Sequence, residues 1–259
     1  MSSVEYAGRS DVGRQRPDNQ DRWAADDALG LYVVADGIAC SNNGALAAQL
    51  VCQLLPTYLQ RQMDSPDNDE SDAAEQLRAA VAEFSDELHM VGRTDLRVLD
   101  TGTTVVAAVV APSRAVIAHL GDSRAYLYRD DSLQRLTFDH NVVEELIQAG
   151  EVSPAEAAQH PGRHVLTRHV AMFPPALPDT RTVELRPADR ILLCSDGLHG
   201  VVGDDAISEI LAAHGVPDDA CAALIDAANG AGGPDNVTVL VVDITPDATA
   251  NDPAPQEIS

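Results

Sequence analysis

Aspartates at the boundaries of apolar, strand-like runs constrain this chain more than any other feature. Three of them share this position: Asp36 after residues 31–35, Asp196 one serine after residues 191–194, and Asp235 just before residues 237–242. A carboxylate at a buried strand end costs free energy unless a partner neutralises it. Because no cationic side chain adjoins them in the sequence, we expect the three to share a bound cation. A metal-dependent enzyme is therefore the leading hypothesis.

Length and charge limit the classes of protein that this sequence can encode. The 259 residues suffice for one large domain or two small ones. The formal net charge of −24 disfavours nucleic acids and anionic membranes as partners, because phosphate binding needs a basic surface. We expect one domain over residues 1–244 and a disordered, acidic, proline-rich tail over 245–259.

The cysteines and the N-terminus indicate a cytoplasmic protein. The four cysteines, at positions 40, 52, 194 and 221, form no CxxC pair, which disfavours zinc and fits a reducing compartment. Cys52 and Cys194 lie in apolar runs and are predicted to be small core residues. No signal peptide and no membrane-length apolar run is present. We expect a monomer.

The order of periodic segments predicts a layered α+β fold. Strand-like runs cover 31–35, 103–111, 115–120, 125–129, 181–185, 190–194 and 236–243. Helical periodicity covers 44–62, 73–91, 141–149, 204–213 and 217–228. Residues 112–114 form a short turn that predicts an antiparallel hairpin. Along the chain, two helices come first, several consecutive strands follow, and further helices come near the end. This order indicates antiparallel sheets covered by helices, not a βαβ alternation.

Aspartates at strand ends suit hard divalent cations. Mg²⁺ and Mn²⁺ prefer oxygen ligands and keep several bound waters. A glycine follows both Asp36 and Asp196, where it permits a sharp turn and leaves its carbonyl free to coordinate. Each Asp-Gly pair alone is a weak signal, since the pair usually marks a simple turn.

Seven segments, taken in order, resemble one family. They read SDVG…RPDNQD (10–21), VVADG (33–37), TGTT (101–104), LGDSRAY (120–126), LTFDH (136–140), LCSDGL (193–198) and GPDNVT (233–238). Across residues 9–243 this order is similar to that of the metal-dependent protein serine/threonine phosphatases, the PPM or type 2C class, in their bacterial form. The resemblance implies a four-layer αββα sandwich of two antiparallel sheets flanked by helices.

The resemblance also implies roles for individual residues. Two metal ions, Mn²⁺ or Mg²⁺, would be held by Asp36 as a bridge, the Gly37 carbonyl, Asp196 and Asp235, and a third, weaker ion by Asp122 with Asp196. Arg16 would bind the substrate phosphate, Asp21 would act through metal-bound water, and Asn236 and His140 would lie just behind the site.

The implied mechanism is physically sensible. Two cations lower the pKa of a bridging water and neutralise phosphoryl oxygens, so that hydroxide attacks phosphorus without a phosphoenzyme. The planar fork of arginine binds two phosphate oxygens together. The expected partners are phosphorylated proteins, namely a serine/threonine kinase and its substrates. Two alternatives stay open: a non-catalytic regulator that binds phosphoproteins or a kinase, and another two-metal phosphoesterase such as a nuclease, which the charge disfavours.

The sequence departs from the family pattern just after Asp36-Gly37. A glycine-rich run is usual there, but this chain continues with Ile38, and Cys40 follows, as a structural thiol or a redox switch. Ile38 cannot serve as the general acid that a histidine supplies in some relatives. Gln20 stands where many relatives have glutamate. None of these changes removes a predicted metal ligand.

The histidines leave several interpretations open. His140 is predicted near the site, either as a supporting or acid–base group or as a side chain bonded to backbone. His119 is expected to be an ordinary strand residue. His160, His164 and His169 lie in the segment 141–172, which corresponds to the mobile flap of the family. A zinc site formed by these three is a minor alternative.

Overall fold

Two five-stranded antiparallel sheets form the centre of the computed structural model, which describes residues 3–38, 43–65, 73–157 and 160–245. The first sheet has the spatial order β1 (Ser3–Asp11), β10 (Val237–Thr245), β9 (Arg190–Cys194), β6 (Arg124–Arg129) and β7 (Ser132–Arg135). The second has the order β2 (Arg22–Asp26), β3 (Leu31–Ala35), β4 (Val105–Ala111), β5 (Arg114–Leu120) and β8 (Asp179–Glu184).

Helices cover the outer faces of both sheets. α1 (Gly44–Met63) and α2 (Ala73–Gly92) pack on the second sheet, and α5 (Asp196–His199), α6 (Asp204–Ala213) and α7 (Pro217–Gly230) pack on the first. The short helices α3 (Val142–Gln148) and α4 (Pro154–Ala157) lie in the segment 141–172. This arrangement confirms the predicted α+β sandwich with αββα layering. No helix within the described ranges is long and apolar enough to cross a membrane.

Three apolar layers hold the sandwich together, and they explain why the central strands are apolar throughout. In β3, Leu31 and Val33 pack against α1 and α2, while Tyr32 and Val34 face the other sheet. Successive side chains of a strand point to opposite faces, so a strand buried on both faces has no polar alternation. The third layer lies between the first sheet and the helices α5 to α7, and it includes Leu192.

The predicted strands and helices are present with boundaries shifted by a few residues, but three strands were missed. The missed strands are β1, β2 and β7, and each lies at the edge of its sheet. Edge strands pair on one side only and carry polar and charged residues, so their sequences lack an apolar run. The predicted hairpin is confirmed, since Ala111 pairs with Arg114 across its turn.

Some predictions fall on residues that the structure does not describe. Residues 39–42, including Cys40, lie outside the described ranges, as do residues 66–72 of the predicted acidic loop and residues 246–259 of the predicted tail. The domain boundary at residue 244 stays a prediction. Cys52 and Cys194 are buried core residues, as predicted.

Candidate metal centre

Asp36 lies at the end of β3, where backbone hydrogen bonds fix its position. Its N–H donates to the Thr104 hydroxyl at 3.1 Å, and its carbonyl accepts from the Thr104 N–H at 2.8 Å and the Thr103 hydroxyl at 2.8 Å. Gly37 pairs with Thr103 in an isolated bridge. Because β3 is a central strand buried on both faces, the carboxylate of Asp36 is presented from a rigid support.

Asp21 directly precedes β2 in the chain, and its charge acts on Asp36. It is 1% exposed, and its Oδ2 accepts a hydrogen bond from the Ser195 hydroxyl at 2.7 Å. The Ser195 oxygen in turn accepts from the Thr238 N–H at 2.9 Å, which links Asp21 to β9 and β10. The second oxygen, Oδ1, is buried and has no hydrogen-bond partner among the described residues.

The glycines after Asp36 and Asp196 allow close backbone packing and do not adopt a left-handed conformation. Neither Gly37 nor Gly197 has a positive φ. A Cβ on Gly197 would lie 1.9 Å from the Asn236 carbonyl oxygen, and one on Gly37 would lie 2.4 Å from the Gly44 carbonyl carbon. These glycines are therefore required by close backbone contact, which holds Asp196 against the start of β10 and Asp36 against the start of α1.

The aspartates of the site repel one another, and their pKa values rise. Burial, with the charges of Asp21, Asp196 and Asp122, holds the pKa of Asp36 well above its usual range. Burial also raises the pKa of Asp21, to about 6, although the hydrogen bond from Ser195 opposes the shift. The pKa of Asp196 is raised by burial and by Asp235, and that of Asp122 by burial and by Asp196.

These carboxylates fit divalent cations. The donor set consists of oxygens, which is the chemistry that Mg²⁺ and Mn²⁺ prefer. An unpartnered, buried oxygen on Asp21 and the mutually raised pKa values both indicate missing positive charge. A bound cation would reverse the pKa shifts by favouring the ionised carboxylates.

Arg16 supplies part of that positive charge in this structure. Its Nη2 donates to Asp235 Oδ2 at 2.7 Å, so the predicted phosphate-binding group is paired with a predicted metal ligand. The sequence did not indicate this pairing, because the two residues are 219 positions apart. The Arg16 side chain is 40% exposed, so its guanidinium also faces the solvent side of the site.

Asn236 holds the loop that carries Arg16 and Asp21. Its Nδ2 donates to the carbonyls of Val12 and Asp18, both at 2.9 Å, and its Oδ1 accepts from the Gln20 N–H at 2.8 Å. The Asn236 N–H donates to Asp235 Oδ1 at 2.8 Å. Asn236 thus ties this loop to the start of β10, and its supporting role behind a metal centre stays a prediction.

His140 is bonded to the backbone of Gly121, the residue that precedes Asp122. Its Nδ1 accepts from the Gly121 N–H at 3.2 Å, so the ring proton is on Nε2, which donates to Asp179 Oδ2 at 3.2 Å. Burial lowers the pKa of His140 to about 4, so the ring is neutral at pH 7. Of the two interpretations left open, the geometry favours the backbone-bonded histidine over the acid–base group.

His119, His140 and Asp179 form the one group of three potential ligands in the described ranges whose donor atoms lie within 4.8 Å of one another. It is poorly suited to a metal ion. The two imidazole rings are stacked, with centroids 4.4 Å apart and planes 23° apart, so their in-plane lone pairs do not converge. Asp179 is also paired with Arg168 at 2.7 Å. The cluster is better described as a hydrogen-bonded support for the turn at Gly121.

The three flap histidines do not form a common ligand set in the part of the chain that the structure describes. His160 Nδ1 accepts from the Gly162 N–H, and His164 Nε2 accepts from Arg163 at 2.7 Å. His169 Nδ1 lies 2.9 Å from the Val170 carbonyl oxygen.

Several hydroxyl groups within the sequence motifs, and one imidazole directly after LCSDGL, support the aspartates although the sequence did not assign them a role. Thr103 and Thr104 fix Asp36, and Ser195 fixes Asp21. His199 Nε2 bonds the Asp122 carbonyl at 2.9 Å. Their positions beside the aspartates in TGTT and LCSDGL, and one helical turn beyond Asp196 for His199, are the signal that could have identified them.

This αββα sandwich with carboxylates gathered at its strand ends defines a metal-dependent hydrolase of the phosphatase class. A family model for Protein phosphatase 2C matches residues 7–220, and the chain belongs to that family. It is similar to the Serine/threonine phosphatase stp of Listeria innocua, with 33% identity over 238 residues that cover 91% of this chain and 94% of the relative.

Solved structures agree with this assignment. The Staphylococcus aureus serine/threonine phosphatase Stp1 has a TM-score of 0.85 at 28% identity, covering 94% of this chain and 96% of that chain. The catalytic domain of the serine/threonine protein phosphatase PstP, solved in complex with two manganese ions, has a TM-score of 0.78 at 33% identity, covering 95% of this chain and 100% of that chain.

Proposed function

We propose that this protein hydrolyses phosphoserine and phosphothreonine in other proteins with the help of Mn²⁺ or Mg²⁺, and so reverses serine/threonine kinase signalling. The observation that carries the proposal is the group of mutually repelling aspartates, Asp21, Asp36, Asp122 and Asp196, at one end of the two sheets. The family membership and the two manganese ions in the PstP structure support the same function.

The predicted ligands would divide the cations between them. Asp36, the Gly37 carbonyl, Asp196 and Asp235 would hold two ions, and Asp122 with Asp196 would hold a third. When bound, the ions supply an activated water and neutralise the phosphoryl oxygens. Arg16 would exchange Asp235 for the substrate phosphate, because the cations take over the neutralisation of that carboxylate.

Mn²⁺-dependent release of phosphate from a phosphothreonine peptide tests the proposal. We expect purified protein to hydrolyse both the peptide and a small aryl phosphate, with no activity after chelation of divalent ions. Calorimetric Mn²⁺ titration should accompany the assay. Protein that binds Mn²⁺ but leaves a panel of phosphopeptides intact would instead favour the non-catalytic regulator.

Replacement of Arg16 by glutamine is expected to impair phosphate binding and not metal binding. A hydrogen bond to a charged group contributes about 1.5–3 kcal/mol, so kcat/KM for the peptide should fall roughly 10- to 100-fold. Mn²⁺ affinity should be unchanged or higher, because Asp235 loses a competing cation. The measurements are steady-state kinetics and Mn²⁺ titration.

Arg14→Gln is the matched control for this substitution, since Arg14 is an exposed arginine on the same loop. It should behave like the unaltered protein in both measurements. Weakened Mn²⁺ binding in Arg16→Gln with an unchanged KM would assign Arg16 to the charge balance of the metal centre alone.

The setting in which the protein acts is also part of the proposal. A serine/threonine kinase would supply its phosphorylated substrates, which agrees with the names of its relatives. The buried free thiols of Cys52, Cys194 and Cys221 suit a reducing cytoplasm. The monomeric state stays a prediction.

A further inference from the structure

A cavity of about 430 Å³ lies beside the metal centre and has no part in the chemistry described above. Its walls come from three segments: the end of α2, residues 98–102 and residues 169–173. The segments are tied together, since the Ala171 N–H donates to the Ser85 hydroxyl at 2.9 Å and the Val170 N–H donates to the Thr103 carbonyl at 2.9 Å. The volume is in the range of roughly 300–1,000 Å³ that is typical of ligand pockets.

Ile38 is the link between the cavity and the predicted metal centre along the chain. This residue follows the predicted metal ligand Gly37, lines the cavity, and donates its N–H to the Gly102 carbonyl at 3.0 Å. A Cβ on Gly102 would lie 3.0 Å from the Ile38 Cδ1 atom and 3.2 Å from the His169 ring, so these two side chains cover the glycine. One residue of an extended peptide spans about 3.3–3.6 Å. A substrate with its phosphate beside Gly37 would therefore have its neighbouring side chains within roughly 7 Å of that point, on the side where Ile38 lines the cavity.

The lining of the cavity is largely apolar and partly exposed. Leu88, Val98, Leu99 and Met172 line it, and Phe173 is 75% exposed at its rim, stacked on His89 with ring centroids 5.3 Å apart. An exposed apolar surface next to a catalytic centre indicates a binding site. Arg93 and Asp100 both line the cavity, so its charged groups do not favour a ligand of one sign over the other.

We propose that this cavity, lined by Leu99, Met172 and Phe173 beside Ile38, binds a bulky apolar side chain located within two residues of the phosphorylated residue in the substrate. The proposal rests on the phosphatase activity proposed above. It makes the cavity a determinant of substrate choice, because burial of a leucine or phenylalanine side chain there favours peptides that carry one.

The test uses phosphothreonine peptides that differ only in the position of one leucine in an alanine background, at −2, −1, +1 or +2 from the phosphorylated residue. We expect leucine at one of these positions to raise kcat/KM about tenfold over the all-alanine peptide, mainly through a lower KM. Phe173→Ser and Leu99→Gln should each abolish most of this preference. Both should leave hydrolysis of a small aryl phosphate unchanged.

Leu96→Ser is the matched control, since Leu96 is 83% exposed nearby and does not line the cavity. This variant should keep the full leucine preference. Equal kcat/KM for all the peptides, or a preference that survives both cavity variants, would overturn the inference. Inactivity toward the aryl phosphate as well would instead count against the phosphatase function, so the two failures are distinguishable.

Discussion

Replacement of Asp36 by asparagine is expected to abolish Mn²⁺-dependent phosphatase activity, with kcat/KM lowered by about 10³-fold or more. Asp36 is the carboxylate whose pKa responds to Asp21, Asp196 and Asp122 together, which places it at the centre of the charged group. Charge stabilisation by a metal ion is worth several kcal/mol, and about 1.4 kcal/mol corresponds to a factor of ten in rate. An amide of the same shape cannot supply the negative charge that both ions need.

Two measurements accompany the kinetics of Asp36→Asn. Calorimetric titration should show loss of the tightest Mn²⁺ binding. Circular dichroism should show an unchanged fold, because the hydrogen bonds that hold residue 36 at the end of β3 are made by its N–H and carbonyl, which the substitution leaves in place. Asp130→Asn, in the exposed turn between β6 and β7, is the control and should retain full activity. Substantial activity in Asp36→Asn with Mn²⁺ still bound would contradict the bridging role.

The interior of the fold could be predicted from the sequence because the buried strands are apolar on both faces. The run Leu31–Ala35 has no other stable environment than the space between a sheet and a helical layer. Three of the four edge strands could not be predicted in this way. The sequence of β1, with Glu5, Arg9 and Asp11, becomes a strand only because β10 offers nine residues for pairing. Long-range pairing of this kind is not encoded in a local pattern.

The metal centre shows a similar division. The aspartates stand out because their positions conflict with local burial, whereas the groups that orient them do not. Ser195 contacts Asp21 across 174 positions, and Arg16 contacts Asp235 across 219. A serine or an exposed arginine is unremarkable in any loop, so its partner emerges only when the two sheets bring the loops together. The resemblance supplied the family, but not these contacts.

Replacement of Asp21 by asparagine is expected to stabilise the metal-free protein at pH 7 but not at pH 4. The folded pKa of Asp21 is raised from 3.8 to about 6. Well below pH 4, both folded and unfolded chains hold the proton; at pH 4 itself the folded chain still holds it and the unfolded chain has lost about half of its protons, so the substitution changes stability only slightly. Between pH 4 and pH 6 the unfolded chain loses the proton first, so stability falls as the pH rises, and the loss is complete above the folded pKa.

The difference in Tm between Asp21→Asn and the unaltered protein isolates this effect. Buried histidines such as His140 and His199 have pKa values lowered to about 4 and about 3. Their effect on the stability of the folded chain is opposite to that of Asp21, since it raises stability as the pH rises over part of the same range. They are present in both proteins, so their contribution cancels in the difference. We expect a Tm difference near zero at pH 4 that grows to several °C at pH 7, since about 1 kcal/mol shifts Tm by roughly 2–4 °C in a chain of this size.

With saturating Mn²⁺ at pH 7, the unaltered protein should have a higher Tm than Asp21→Asn, which is the reverse of the order expected without metal. Bound cations favour ionised carboxylates and stabilise only the folded chain, so the unaltered protein gains more from them than Asp21→Asn does. Thermal unfolding with a chelator and with Mn²⁺, at pH values from 4 to 7, measures both effects. A Tm difference that is independent of pH without metal would mean that Asp21 is ionised in the folded chain throughout. The raised pKa, and with it the argument that the site lacks positive charge, would then be wrong.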